Sequence, residues 1–375
     1  MKRDRCIVVI EKLNQVSEEP DLHEPDVPDR GLSRGKLIYN YQPKKAWPAA
    51  GLLAYQLVMP YILVSTVQSI AYLAAFLFYL RSNAGVGFMD KLSSITSPSA
   101  SGSFAIDSTM FDSIMKMLLG VMSTKPFLIA MTAGYLIIIG VYLLIVRGIE
   151  KRSAQTMGLP FHEAGDKKKA LFSYARGLII GLCMMTTVFI LLLVTGQARV
   201  SGFGLDASSV SLFILYIIMW IPQGASEEIM TRGYMLPRLS AKFRRPAAVA
   251  ITSLFFGLLH TGNSGFSIVA FINLIMIAVF FAMLSIYTSE IWTVCAVHSV
   301  WNFAQGNLFG FEVSGIVPTA SLFQTTSSKA ASEILTGGSF GPEGGLIVTG
   351  VITAALIILI LIQKKGAKKW IKTQI

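Results

Sequence analysis

The sequence predicts an all-α, polytopic integral membrane protein with about eight transmembrane helices and with both termini on the inner side. Of its 375 residues, 53% are hydrophobic and only 14% are charged, and the mean hydropathy is +0.60. About 20 apolar helical residues cross a bilayer core, and uncharged runs of roughly that length recur along the chain. This composition excludes an ordinary soluble domain.

Eight apolar segments are the candidate helices. The shortest of them would join the next one if the GNSG break at 262–265 were ignored. Because eight is an even number, the two ends of the chain are expected on the same side. The segments lie at 46–80, 127–146, 177–198, 207–226, 247–260, 266–289, 291–311 and 346–363.

The basic residues predict the orientation. With the N-terminus inside, the inner stretches contain all but six of the 32 Lys and Arg residues, and such an excess is typical of cytoplasmic loops. We therefore expect a multi-pass protein of the cell membrane, N-in and C-in. Since topology accounts for the net charge of +11, no nucleic-acid partner is expected. The inner stretches are 1–45, 147–176, 227–246, 290 and 364–375.

Ionisable side chains interrupt the apolar segments in the stretch GASEEIMTRGY. Each charge at bilayer depth costs at least about 2.5 kcal/mol and usually marks a site or a buried pair. Glu228 and Arg232 lie about 40° apart around a helix, whereas Glu227 points about 100° away from Glu228. We predict that Glu228 neutralises Arg232 and that Glu227 faces elsewhere. The alternative is that the first carboxylate caps a helix entrance.

Two further pairs repeat the i, i+4 spacing. Phe256 and His260 in FGLLH share one helix face, and so do His298 and Asn302 in HSVWN. Each pair alone is also compatible with core packing or with hydrogen bonds between helices. Counted at 1.5 Å per residue from the predicted inner ends, the depths of Glu227, His260, His298 and Asn302 are about 15, 21, 10 and 16 Å, near the middle of a core about 30 Å thick. They can therefore converge.

Such a set of side chains suits peptide-bond hydrolysis without a covalent intermediate. A carboxylate and an imidazole can activate a water as general bases, while a second imidazole and an amide can donate to an oxyanion. The zinc motif HExxH and the aspartyl motif GxGD are absent from the sequence. GGSFG at 337–341 has the GxSxG pattern but no predicted strand-turn-helix context, so we treat it as chance.

The three motifs in this order resemble the CPBP (CAAX protease and bacteriocin-processing, or Abi) family of intramembrane glutamate endopeptidases, which includes CAAX prenyl protease 2. Gly233 is similar to the family's usual RG, whereas Thr231 stands where the family commonly has an apolar or aromatic residue. The resemblance covers about residues 210–309. It is carried by EExxxR (Glu227, Glu228, Arg232), FxxxH (Phe256, His260) and HxxxN (His298, Asn302).

The resemblance implies a role for each catalytic candidate. Glu227 and His260 would hold and activate the attacking water. His298 and Asn302 would form the oxyanion hole. This agrees with the helical arrangement, in which Glu227 is free of Arg232.

The same resemblance implies roles for the supporting residues and bears on the need for a metal. Glu228 and Arg232 would orient the site, and Phe256 would pack near the substrate groove. No cofactor is expected. A zinc ion held by Glu227, His260 and His298 is an alternative, although their spacing matches no recognised zinc motif.

The apolar segments and the resemblance together predict the domain organisation. Residues 1–45 form a cytoplasmic N-terminal arm, and residues 46–206 contain accessory transmembrane helices and loops. Residues 207–311 form the catalytic helical core. Residues 312–375 comprise an outer loop, the last transmembrane helix and a basic tail.

The expected partners are the lipid bilayer and a membrane-associated peptide or protein substrate that reaches the site from the cytoplasmic side. Eukaryotic family members trim prenylated tails, and bacterial members are associated with bacteriocin processing or self-immunity, so the requirement for prenylation stays open. Two alternatives remain. One is a non-enzymatic scaffold or bacteriocin self-immunity protein of the same fold; the other is a transporter with a proton relay.

Overall fold

The computed structural model describes residues 48–81, 86–87, 121–122, 124–159 and 166–373. The predicted N-terminal arm and most of the predicted outer loop at 81–126 lie outside these residues.

The described part of the chain is predominantly helical, as predicted. Three helices continue into π-helical turns, at Ile145–Ile149, Ile229–Met235 and Ala304–Leu308. The α-helices are α1 Ala49–Leu80, α2 Lys125–Leu144, α3 Asp166–Val194, α4 Val210–Glu228, α5 Leu236–Ser240, α6 Arg245–Leu258, α7 Ile268–Thr288, α8 Trp292–Phe303, α9 Glu333–Thr336 and α10 Leu346–Thr373.

All eight predicted apolar segments contain helix, but they differ in length. The helix α6 has 14 residues, and α8 has 12 residues and a π-helical continuation of 5, which correspond to about 21 Å and at most about 26 Å, against a hydrocarbon core of about 30 Å. Eight crossings therefore remain a prediction. Six helices in the described ranges are long and apolar enough to span a membrane: Ala49–Leu80, Lys125–Ile149, Lys167–Val194, Val210–Ser240, Ile268–Thr288 and Leu346–Lys365.

A small antiparallel sheet, which the sequence did not predict, joins two loops. Strand β1 (Ala198–Phe203) follows α3, and strand β2 (Phe323–Ser327) lies between α8 and α9. They pair from Ala198 opposite Ser327 to Phe203 opposite Phe323, with a register shift within β1. Both loops were assigned to the outer side, so their pairing agrees with that assignment.

Ion pairs join the stretches that were assigned to the inner side. Glu150, after α2, forms ion pairs with Arg152 and with Arg238 of α5. Arg176 of α3 lies 3.0 Å from the Oε1 atom of Glu290, just before α8. The backbone N–H of Ile291 donates to the Gly158 carbonyl oxygen at 3.2 Å, so the two groups of ion pairs lie at one end of the bundle. Which end faces the cytoplasm remains a prediction.

Glycines let α8 pack closely against its neighbours. A β-carbon on Gly224 of α4 would lie 2.7 Å from the Ser299 nitrogen, and one on Gly181 of α3 would lie 2.7 Å from the Val297 carbonyl oxygen. Small residues permit this approach of helix backbones in membranes. As a result α8 is buried over most of its length, and its polar side chains face other helices.

The entry to α4 is stabilised by Asp206. Its carboxylate accepts hydrogen bonds from the Ser208 hydroxyl (2.7 Å) and the Ser209 backbone N–H (2.8 Å). Hydrogen bonds from Ser208 and Ser209 lower the pKa of this exposed carboxyl to about 2. The negative charge is therefore kept near the N-terminus of α4, where the helix dipole favours it.

Candidate active site

A cavity of about 210 Å³ brings the three sequence motifs together. It lies among α1, α2, α4, α6, α7 and α8 and the segments that follow α8. Five of the seven predicted site residues line it: Glu227, Phe256, His260, His298 and Asn302. The other two, Glu228 and Arg232, are fully buried beside it.

The buried ion pair at the end of α4 has the predicted partners. Arg232 Nη1 lies 3.1 Å from Glu228 Oε1, and neither side chain is exposed. The guanidinium also donates to the Ala278 carbonyl oxygen at 2.8 Å and lies 5.0 Å from the centre of the Phe256 ring. A buried charge requires such compensation. The pair sits where α4 widens into a π-helical turn, a feature frequent at functional sites.

Thr231, the departure from the family pattern, takes part in this arrangement. Its hydroxyl donates to the Glu227 backbone oxygen at 2.6 Å and accepts from Arg232 Nη1 at 2.7 Å. An apolar residue at this position would supply neither contact. The threonine thus adds a polar contact to the buried guanidinium.

Glu228 also holds His298, a contact that the sequence did not predict. The Nδ1 atom of His298 lies 2.9 Å from Glu228 Oε1, the same oxygen that Arg232 contacts. An ionised carboxylate only accepts hydrogen bonds, so Nδ1 carries a proton. The other ring nitrogen, Nε2, lies 3.9 Å from Glu227 Oε2.

Gln223 connects Glu227 to Asn302 and was missed by the sequence reasoning. Its Nε2 donates to Glu227 Oε1 at 2.7 Å, and its Oε1 accepts from Asn302 Nδ2 at 2.8 Å. An ionised Glu227 determines the direction of these two hydrogen bonds, since a carboxylate must receive an N–H. Asn302 then presents its amide nitrogen, with one further N–H beyond the Gln223 bond. The i, i+4 spacing of Gln223 and Glu227 was the available signal.

A contact with a backbone carbonyl oxygen determines the tautomer of His260. Its Nδ1 lies 2.8 Å from the Phe256 carbonyl oxygen, and a carbonyl can only accept. The proton of a neutral ring therefore resides on Nδ1, which leaves the lone pair on Nε2. A neutral His260 thus has a basic nitrogen and lines the cavity.

Phe256 contacts both imidazoles. Its ring centre lies 4.9 Å from that of His260 and 6.0 Å from that of His298. It is 2% exposed, so it forms part of the cavity wall and covers the buried guanidinium. Its expected place near a substrate groove is compatible with this position.

A zinc ion held by Glu227, His260 and His298 is the alternative that the sequence leaves open. Among the described residues, no group of three His, Cys, Asp or Glu side chains is arranged to hold a metal ion. The zinc alternative therefore gains no support from this part of the chain. Activity in the presence of a chelator tests whether the protein depends on a metal ion.

Glu343 is a second lining carboxylate that no motif indicated. It lies in the short 3₁₀ turn Pro342–Gly344 and accepts hydrogen bonds from Trp301 Nε1 (2.9 Å) and the Ser314 hydroxyl (2.5 Å). The sequence placed residues 312–345 in an outer loop and did not indicate what that loop does. No helical spacing relates Glu343 to the three motifs, so only the tertiary structure reveals it.

The fold and the cavity define a class: a polytopic α-helical membrane protein with a carboxylate, two imidazoles and an amide around one buried space. Residues 209–304 match the family model described as Type II CAAX prenyl endopeptidase Rce1-like. This match, which extends from α4 to the end of α8, confirms the resemblance to the CAAX protease (CPBP) family and supports a peptidase of that type. The family also contains non-catalytic members. No curated protein and no solved structure matches the chain.

Proposed function

We propose that this protein is a metal-independent intramembrane endopeptidase that hydrolyses a peptide bond in a membrane-associated peptide or protein. One observation carries the proposal. Gln223 holds Glu227 Oε1, whereas Oε2 is buried and has no hydrogen-bond donor among the described residues. Glu227 lines the same cavity as His260 and His298, and a carboxylate and imidazoles around one cavity are the groups that activate a water nucleophile.

The nucleophile would be a water held by Glu227 and His260. Each offers a base: the carboxylate oxygen Oε2, and the Nε2 lone pair left by the Phe256 contact. One of them takes a proton from the water as its oxygen attacks the scissile carbonyl carbon. The cavity lies among packed helices, and a lower dielectric than that of water strengthens such electrostatic interactions.

The oxyanion formed in this attack would be stabilised by His298 and Asn302. For Nε2 to donate, the His298 ring must be doubly protonated, with Glu228 accepting from Nδ1. Asn302 would donate the N–H that Gln223 does not use. Loss of one donor of this kind typically costs 10²–10³-fold in kcat, or about 2.7–4 kcal/mol.

The reaction would end without a covalent intermediate on the protein. The proton taken from the water passes to the amide nitrogen of the substrate, the C–N bond breaks, and a carboxylate and an amine leave. Every atom of the products comes from the water and the peptide.

The orientation proposed for this reaction is N-in and C-in, with the cavity reached from the cytoplasmic side. Six crossings and eight crossings are both even, so both numbers leave the two ends on one side. The basic residues assign that side to the cytoplasm of a cell membrane.

The proposal is tested with purified protein in nanodiscs and a panel of prenylated and unprenylated peptides, with products identified by mass spectrometry. We expect cleavage by the wild type and a loss of about 10²-fold or more in Glu227→Ala and His260→Ala. The exposed Glu333→Ala serves as the control. Variants that cleave as well as the wild type would overturn the residue assignment.

Two further outcomes separate the alternatives. Cleavage abolished by a chelator and restored by zinc would replace the metal-independent mechanism. Peptide binding without any cleavage by the wild type would favour the non-enzymatic scaffold or immunity protein.

A further inference from the structure

Glu343 is a buried carboxylate in the cavity that the proposed reaction does not use. We propose that it forms an anionic subsite that binds a lysine or arginine side chain of the substrate, one or two residues from the scissile bond. The inference rests on the proposed function, because it takes a peptide to be the occupant of the cavity. It adds a substrate class: peptides with a basic residue near the cleavage point.

The hydrogen bonds of Glu343 leave room for a ligand. Each carboxylate oxygen accepts from one neutral donor, Trp301 Nε1 or the Ser314 hydroxyl. An ionised carboxylate has about four lone-pair sites, so two remain for further donors. The residue is 9% exposed and lines the cavity.

The missing counter-charge distinguishes Glu343 from other buried carboxylates. Glu228 is paired with Arg232, and Glu290 with Arg176. The described residues that line the cavity include no Lys or Arg, and Glu343 makes no ion pair with any described residue. A buried carboxylate without a cation is costly, and a cationic ligand would remove that cost.

The backbone that carries Glu343 is firmly positioned. Asn273 of α7 donates to the carbonyl oxygens of Glu343 (2.8 Å) and Gly345 (2.9 Å). The Thr349 hydroxyl in turn donates to Asn273 Oδ1 at 2.7 Å. Asn273 is 1% exposed, so these contacts are shielded from solvent. A carboxylate held in this way loses little conformational freedom when it binds a ligand.

Trp301, which donates to Glu343, lies on α8 between the two residues proposed for the oxyanion hole. Trp301 follows His298 by three residues and precedes Asn302, a rise of about 4.5 Å and 1.5 Å along α8, respectively. An extended peptide advances about 3.3 Å per residue. A substrate carbonyl beside His298 and Asn302 would therefore place a side chain one or two residues away near Glu343, where a charge-assisted hydrogen bond can form.

The test uses pairs of peptides that carry either lysine or norleucine at each position within three residues of the cleavage point. The wild type is expected to favour lysine at one position, measured as the ratio of kcat/KM for the two peptides. In Glu343→Gln this ratio should fall about tenfold or more, because the cation loses its counter-charge. Glutamine keeps the size of the side chain and can retain both the Trp301 and the Ser314 contacts. Glu333→Gln makes the same chemical change on the exposed α9 and should keep the wild-type ratio.

Binding of the same labelled peptides to the wild type and to Glu343→Gln, by fluorescence anisotropy in nanodiscs, separates the two proposals. Cleavage without a lysine preference, or with a preference that survives in Glu343→Gln, overturns the subsite and leaves the peptidase intact. Lysine-selective binding that Glu343→Gln abolishes, in the absence of cleavage, supports the subsite and overturns the peptidase.

Discussion

Glu228 and His298 lie 70 positions apart and are joined by a 2.9 Å contact between Oε1 and Nδ1. The same oxygen lies 3.1 Å from Arg232 Nη1. One carboxylate thus neutralises a buried guanidinium and orients the imidazole proposed for the oxyanion hole. The supporting residue and the catalytic candidate cannot be altered independently.

Replacement of Glu228 by alanine is expected to reduce both folding and activity. It strands Arg232 in the bundle, and the loss of one partner of a buried pair costs about 3–5 kcal/mol. From the sequence alone, a loss of folded yield larger than the loss of specific activity is predicted. The His298 contact adds a loss of activity per folded molecule. Yield on size-exclusion chromatography and activity of the monodisperse fraction measure the two effects.

The double variant Glu228→Gln/Arg232→Gln provides the comparison, because it removes both charges and leaves no unpaired charge in the bundle. It should recover yield relative to Glu228→Ala but remain less active than the wild type. Full activity in the double variant would show that the charge on Glu228 does not influence His298.

Gln223→Leu should lower activity more than stability. It removes the amide that joins Glu227 Oε1 to Asn302 Nδ2 while keeping a side chain of similar volume. A fall of about 10-fold to 100-fold in kcat is expected, with a smaller effect on KM, because both partners lose their orientation. Gln324→Leu on the exposed strand β2 is the matched control. Equal kinetics for the two variants would exclude a positioning role for Gln223.

Asn302→Leu is expected to reduce kcat by about 10²–10³-fold with little change in KM, since an oxyanion donor acts mainly in the transition state. Steady-state kinetics on the best peptide of the panel measure both constants. A raised KM with an unchanged kcat would instead assign Asn302 to substrate binding.

Gly224→Ala should destabilise the packing of α4 against α8. The new β-carbon would lie 2.7 Å from the Ser299 nitrogen, and overpacking of this kind typically costs about 1–3 kcal/mol. The midpoint of thermal unfolding in detergent should fall. Gly140→Ala in α2 is the matched control, because no heavy atom lies within 4 Å of its added β-carbon. An equal midpoint in both variants would contradict the proposed close contact of the helices.

The class of protein and the contacts between residues four positions apart could be predicted from the sequence. Partition into a bilayer depends on composition and on the length of apolar runs, which are readable without coordinates. The contacts Glu228–Arg232 and Phe256–His260 are local, because a helix keeps residues four positions apart on one face. The approximate positions of eight helical segments were predictable for the same reason. The assignment of Glu227 to catalysis is still a prediction.

The contacts between different helices could not be predicted from the sequence. His298 with Glu228, Gln223 with Asn302, and Glu343 with Trp301 each join residues that are 42 to 79 positions apart. The pairing of β1 with β2 is of the same kind. Such contacts depend on how closely the backbones of α4 and α8 approach and on where a loop returns to the bundle. No periodicity along the chain encodes these distances, because they result from the packing of all the helices together.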